Sequence, residues 1–492
     1  MKKSMNHEGL ATDAIFLTIA KLVTSLISIL ITKLLAVNFS LYDYGTYSQA
    51  MLIVSTATSL SILGLTDGVN YFYNGNFNTE QKRKNINTIF LIQFIVGTIC
   101  AVIILSSNEL ITRYMENPAL KPIYVYIMFS PMLSNLLAMY QVLFVSTGRS
   151  KLIAVRNLFV SIFKLLAVAV ATLVTHNVIT IFMIILVTDI IQVVFFSVSF
   201  AKRTFCVNPF AADLKMVRTI LAYCLPLAIY ILTSALCRDI DKYVISYFTD
   251  TETLAIYTNA AKMLPFDVIT TSFATVMVPY ITRYVANDEY EKSQQLYKNY
   301  LSFSYVTTWL IAFGAIVCAK DLMLILYDPK YLSGVKVFIV YILADMIRFA
   351  NVAVILRAKN KTFQLMLYSF GMLAANFILN IVFFQLWGII GPAIATLVVT
   401  LVFNCVMLYQ GACIIRTKIH ILIDIKDMAK TVCGMVLAGL VAVAVQKICE
   451  REEVSYRITF ILAYGVYAMI VFALNIKKTL RILKNMNRIK AV

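Results

Sequence analysis

The sequence predicts an all-α polytopic membrane protein: about 14 transmembrane helices, set in two parallel pseudo-symmetric six-helix lobes plus two C-terminal helices. Three observations predict it. Apolar blocks recur from Ala14 to Leu474, each close to the ~20 residues that cross a hydrocarbon core of about 30 Å. Lys and Arg outside those blocks crowd into alternate connecting loops. Short polar signatures of the first half return in the second at an offset of about 210 residues.

Composition sets the class. Of 492 residues, 60% are hydrophobic and 14% charged, and the mean hydropathy of +0.81 lies far outside the range of soluble globular proteins. The net charge of +18 follows the loops and forms no basic domain, which argues against a nucleic-acid partner. Connecting loops are short, so no extramembrane domain is long enough to fold alone.

The elements follow in order. The first helix is placed at 12–36. Met1-Lys2-Lys3 precedes it as in a secretory signal, but the apolar run reaches about Val37 and contains Lys21 and Lys33, so it is read as retained. The second, 44–71, opens on Asp43-Tyr-Gly-Thr-Tyr-Ser-Gln-Ala50. After the polar loop 73–85 come 86–107, 121–146, 152–175 and 178–201. The next six are 216–238, 252–281, 299–318, 335–356, 363–386 and 389–412. Helices 428–447 and 456–475 lie outside the repeat and precede a basic tail from Lys477 to Lys490. The domain reading is therefore 1–206, 207–412 and 413–492.

Orientation comes from charge. Loops on one side hold most of the 43 Lys and Arg, among them Lys82, Arg83, Lys84, Arg149, Lys151, Arg156, Lys202 and Arg203. Opposite loops mix few cations with Glu109, Glu116, Asp250, Glu252, Glu450 and Glu453. Positive loops stay cytoplasmic, so a multi-pass protein of the cytoplasmic membrane with both termini inside is expected.

The halves echo each other. Tyr47, Gln49 and Ala50 correspond to Tyr257, Asn259 and Ala260, and Gly148-Arg-Ser-Lys151 to Lys359-Asn-Lys-Thr362. Six helices begin and end on one side, so duplicated copies run parallel, with a substrate site expected between them near mid-bilayer.

At these residues the chain resembles the polysaccharide, or oligosaccharide-lipid, flippases of the multidrug/oligosaccharidyl-lipid/polysaccharide exporter superfamily. The resemblance lies in Leu41-Tyr-Asp-Tyr-Gly-Thr-Tyr47, in Leu225-Pro226 followed by Asp241-Lys242 and Ala255-Ile-Tyr257, and in Gly388-Ile-Ile-Gly391-Pro-Ala393-Ile-Ala395-Thr396. Pro392 and Ala255 depart from the usual pattern. The resemblance spans roughly residues 10–475. It implies a flippase for a polyprenyl-pyrophosphate-linked oligosaccharide, serving O-antigen, capsule or similar polysaccharide synthesis. The implied partners are that lipid-linked substrate, membrane lipid and a coupling proton or sodium.

Ionisable residues inside a bilayer span are costly and face a cavity or a partner. Thr18, Lys21, Ser25, Ser28 and Thr32 share one face of the first helix, by its 3.6-residue period. Asn259, Lys262 and Thr270 align on the eighth, and Asn157, Ser161, Lys164 and Thr172 on the fifth. Such stripes also act as helix–helix glue. The candidate substrate-binding set is Lys21, Ser25, Ser28, Lys164, Asn259, Lys262 and Arg348. Lys21 and Lys262 have no carboxylate in phase on their own helix. Arg348 is either a cavity cation or neutralised by Asp345 at i,i+3, and Lys33 snorkels. Asp67, Asp189 and Asp267 are the coupling or charge-balancing candidates. Cys and His stand at no metal-ligand spacing and no phosphate-binding loop occurs, so neither metal, cofactor, disulfide nor ATP hydrolysis is expected. The alternatives are a cation-coupled multidrug exporter, whose cavity needs net negative charge, and a membrane glycosyltransferase or polymerase, whose catalytic loop is not found here.

Overall fold

The computed structural model describes residues 7–75, 77–262, 268–359 and 361–490. Every regular element among them is helical. Eight helical stretches are long and apolar enough to cross a bilayer, and ten when each of two bent pairs counts as one span. The chain divides into two compact units, residues 1–258 and 259–492.

The first unit begins with α1 (His7–Asn38), α2 (Leu41–Ser61) and α3 (Leu65–Asn74). The expected single helix 44–71 is two, bent by 41°. Leu63 and Gly64 both take positive φ, 46° and 67°, which no helix continues through. A Cβ on Gly64 would lie 2.7 Å from the Cys224 carbonyl oxygen, so glycine here permits both the turn and the close approach. α4 (Thr79–Ser106) starts on a capping box, Asn78 Oδ1 accepting from the Gln81 N–H while Gln81 Oε1 accepts from the Asn78 N–H.

The expected helix 121–146 is subdivided too. After α5 (Asn108–Tyr114), a 3₁₀ turn over Pro118–Ile123 leads into α6 (Tyr124–Ile127) and α7 (Ser130–Ser146). α8 (Ser150–Val174) and α9 (Val178–Ala201) form an antiparallel pair, and α8 packs along α1. Arg156, counted among the loop cations although it falls within the expected helix 152–175, sits inside α8. α10 (Val217–Phe248) carries Pro226 and bends by 42° there, because proline removes one ladder bond and crowds the carbonyl four residues back. It packs on α2, α3 and α4. α11 (Thr251–Ala260) follows, and the core gathers around Phe72, Phe90, Tyr140, Phe144, Phe196 and Phe200.

The expected continuous helix 252–281 is instead α11 and α12 (Val268–Ala286), with residues 263–267 outside the described set. In the second unit come α13 (Tyr290–Val317), α14 (Ala319–Leu326), α15 (Val335–Ile347) and α16 (Val354–Ala358). The long outer loop expected at 319–334 is thus mostly helical. Helix 335–356 breaks after Ile347, and beyond the break the Asn351 N–H is bonded to the Tyr300 hydroxyl at 2.9 Å. α17 (Thr362–Trp387) and α18 (Gly391–Ile414) are followed by the short α19 (Ile419–Leu422). The last two helices, α20 (Ile425–Arg451) and α21 (Tyr456–Lys490), pack together and on α13 around Met435, Tyr467 and Val471. The expected basic tail is helical, continuing α21 to Lys490. A polar knot fastens them: Lys478 Nζ lies 2.6 Å from Asp427 and donates to Tyr305 and Thr431 at 2.9 Å each.

Candidate functional site

A cavity of about 300 Å³, mainly apolar but carrying a cluster of polar groups, opens within the first unit. α1 contributes Ser28, α2 Tyr47, α7 Ser130 and Ser134, α8 Lys164 and α9 Asp189. Five helices place these groups together because each carries one or two small or polar residues on its inward face while neighbouring positions are bulky and apolar. Lys164 Nζ lies 3.2 Å from Asp189 Oδ1. Asp189, 7% exposed, also accepts from Gln192 Nε2 at 3.1 Å, and Gln192 in turn accepts from Arg156. The cavity therefore presents hydroxyls and a neutralised ion pair. At about 30 Å³ per water molecule, 300 Å³ is the space of about ten waters, less than an oligosaccharide fills.

The other candidates fall as follows. Ser25 is half-buried and Ser28 exposed on α1, where the Ser28 carbonyl accepts from Thr32 Oγ1 at 2.9 Å. The Lys21 side chain and all of Asp267 lie outside the described residues. Lys262 follows α11, half-buried, with its N–H bonded to the Asn259 carbonyl at 3.4 Å. Asn259 is fully buried, and its carbonyl accepts from Tyr327 at 3.0 Å. Asp67 is half-buried on α3. Arg348 caps α15, 3.5 Å from Asp345, and donates to Thr400 Oγ1 at 3.2 Å. Arg348 and Asp345, i,i+3 in sequence, thus lie at ion-pair distance.

Sequence reasoning missed a polar hub. Asn117 is fully buried; its Nδ2 donates to Thr46 Oγ1 at 2.8 Å and Gln49 Oε1 at 2.7 Å. Its Oδ1 accepts from Tyr42 at 2.8 Å and the Ala119 N–H at 3.0 Å. Gln49 then reaches the Met115 carbonyl at 3.2 Å and Ser246 Oγ at 3.3 Å. Thus the Leu41–Tyr47 segment works as a scaffold. Gly45 within it stands where a Cβ would lie 2.1 Å from the Thr251 carbonyl oxygen. Two further motif residues meet likewise, the Tyr257 hydroxyl donating to Asp241 at 2.8 Å, both fully buried. An asparagine beside a proline in a loop carries no signal that would have marked Asn117.

The sequence profile of the family described as polysaccharide biosynthesis protein matches residues 17–336. No curated protein matches the chain. Among solved structures it is similar to the lipid II flippase MurJ in an inward closed conformation, with a TM-score of 0.73 and 15% identity over 94% of this chain and 99% of that one. It is also similar to a multidrug resistance MATE family transporter of the MOP superfamily in an inward-facing conformation, at 0.64 and 12% over 80% and 94%. The Vibrio cholerae MATE transporter VcmN in its bent form matches at 0.57 and 15% over 84% and 99%. At these identities the likeness establishes the fold alone.

Proposed function

Because the chain belongs to the polysaccharide biosynthesis protein family, we propose that it is a flippase. It moves a polyprenyl-pyrophosphate-linked oligosaccharide across the cytoplasmic membrane by alternating access, with both termini cytoplasmic, for O-antigen, capsule or similar surface polysaccharide. The family membership carries this reading. The fold, which a lipid II flippase shares, and the one-sided loop charge support it. No catalytic step is assigned.

In this reading Lys21 and Lys262 attract the diphosphate, since an ion contact strengthens where the dielectric is low. Ser25 and Ser28 offer hydroxyls to the sugar; Asn259, closed off in this conformation, engages only after rearrangement. Lys164 and Arg348 enter as ion pairs with Asp189 and Asp345 and add polarity without net charge. Asp67, Asp189 and Asp267 balance charge or take a coupling proton or sodium. The proposed lobes are residues 1–206 and 207–412. Lys21→Ala and Lys262→Ala should each abolish polysaccharide export in a deletion strain while protein levels stay normal. Full complementation by both variants removes these lysines from the site.

A cation-coupled multidrug exporter is the second reading, favoured by the fold shared with MATE transporters. Drug susceptibility separates the two. A deletion strain that loses surface polysaccharide with unchanged drug tolerance fits the flippase, and the reverse pattern fits the exporter.

A further inference from the structure

α8 and α9 hold a positive excess that their ion pair does not consume. They carry Lys151, Arg156 and Lys164 against one carboxylate, Asp189, which is held by Lys164 at 3.2 Å and Gln192 at 3.1 Å. The half-buried Arg156 guanidinium lies over the Phe196 ring, its Cζ 4.5 Å from the ring centre. Its Nη1 donates to Asn157 Oδ1 at 2.7 Å and its Nη2 to Gln192. Its Nε is buried and has no hydrogen-bond partner, so the guanidinium meets the cleft through its Nη edge. Arginine stays charged at any physiological pH and matches phosphate geometry.

Beside this group runs a cleft of about 700 Å³ between the two helices. Its walls are Val155, Phe159, Phe163, Ile191 and Phe195, all exposed, Phe159 by 72%. Both helices qualify as membrane spans, so this apolar surface meets acyl chains. At 1.5 Å per residue, Arg156 sits about 9 Å from the start of α8, near the depth where headgroups meet hydrocarbon, and Phe163 lies about 10 Å deeper. Arg149 at the same end of α8 and Lys202 with Arg203 at the end of α9 extend the positive field.

We propose that this cleft binds an anionic phospholipid of the surrounding bilayer, the headgroup phosphate on Arg156 and one acyl chain along the phenylalanines. Charge complementarity selects the occupant: a zwitterionic lipid fills the cleft equally well but brings its own cation to a site already positive. The proposal requires only the membrane-spanning fold and does not rest on the flippase reading.

Native mass spectrometry of the purified full-length protein tests it, with phosphatidylglycerol and phosphatidylcholine of identical chains supplied in equal amounts. Wild type should retain phosphatidylglycerol about tenfold better, the scale of one charge-assisted contact. Arg156→Gln should fall to near parity, and Arg156→Lys should keep most of the preference. Val160→Trp, which fills the cleft and leaves the cation intact, should weaken retention of phosphatidylglycerol. Parity in wild type, or an undiminished preference in Arg156→Gln, overturns the proposal. If Arg156→Gln does not fold, Val160→Trp decides: unchanged retention overturns the site.

Discussion

Deleting one partner of the Lys164–Asp189 pair measures what that pair does. Lys164 Nζ stands 3.2 Å from Asp189 Oδ1, with side-chain exposures of 29% and 10%. Removing one member of a buried pair costs about 3–5 kcal/mol, because the other charge is stranded. Here the stranded carboxylate keeps its bond from Gln192, and the 300 Å³ cavity at its side is large enough for water to reach it. Both reduce the cost, to about 2 kcal/mol for Lys164→Met. Adding Asp189→Asn removes the stranded charge and should recover about half, leaving the double variant about 1 kcal/mol less stable than wild type. Thermal unfolding of all four proteins of the cycle in lipid nanodiscs reads this out. At about 2 °C per kcal/mol for a long chain, Lys164→Met should melt about 4 °C lower and the double variant about 2 °C lower. A single variant as stable as wild type, or a double variant no better than the single, refutes the reasoning. Export then separates structure from transport. A stable double variant that still exports leaves the pair structural, and one that fails gives the pair a part in transport, through Lys164 on the substrate or Asp189 in coupling.

Three other expectations follow from the geometry. Asn117→Ala removes four side-chain hydrogen bonds inside the first unit and should cost about 3 kcal/mol, seen as a clear drop in melting temperature; a shift below 1 °C would contradict the hub. Gly45→Ala drives a methyl group into the Thr251 carbonyl and should cost about 1–3 kcal/mol through backbone displacement, with reduced yield of monodisperse protein as the measurement. Asp288, in the turn before α13, is held below the usual carboxylate range by hydrogen bonds from Lys359 and Tyr290. A depressed folded-state pKa adds stability above the unfolded pKa of about 4 and loses it as pH falls through the folded value. Asp288→Asn should therefore lower the melting temperature at pH 7 and leave it unchanged well below pH 4; equal effects at both would rule out the linkage.

Local chemistry explains what could be read early. Hydrophobic run length announces a bilayer span residue by residue, and loop charge needs only counting, so the polytopic helical class followed from the chain. So did the i,i+3 relation of Asp345 and Arg348, because helical phase is a local quantity. Breaks inside spans were harder. Pro226 announces its kink, whereas Leu63-Gly64 inside an apolar run looks like ordinary helix until the Cys224 carbonyl is seen against Gly64. Polar stripes gave the phase of Lys164 on α8 but not the helix across from it.

The amino-acid order alone thus determined the solvent this protein lives in, that its long elements are apolar helices, and its kinship with the polysaccharide biosynthesis protein family. Tertiary structure alone decided which polar groups are spent on one another: Lys164 on Asp189, 25 residues apart, and Asn117 on Gln49, 68 apart. The physical reason is that span length is set by each helix against lipid, whereas a buried charge or amide is satisfied only by whatever a packed neighbour brings within about 3 Å.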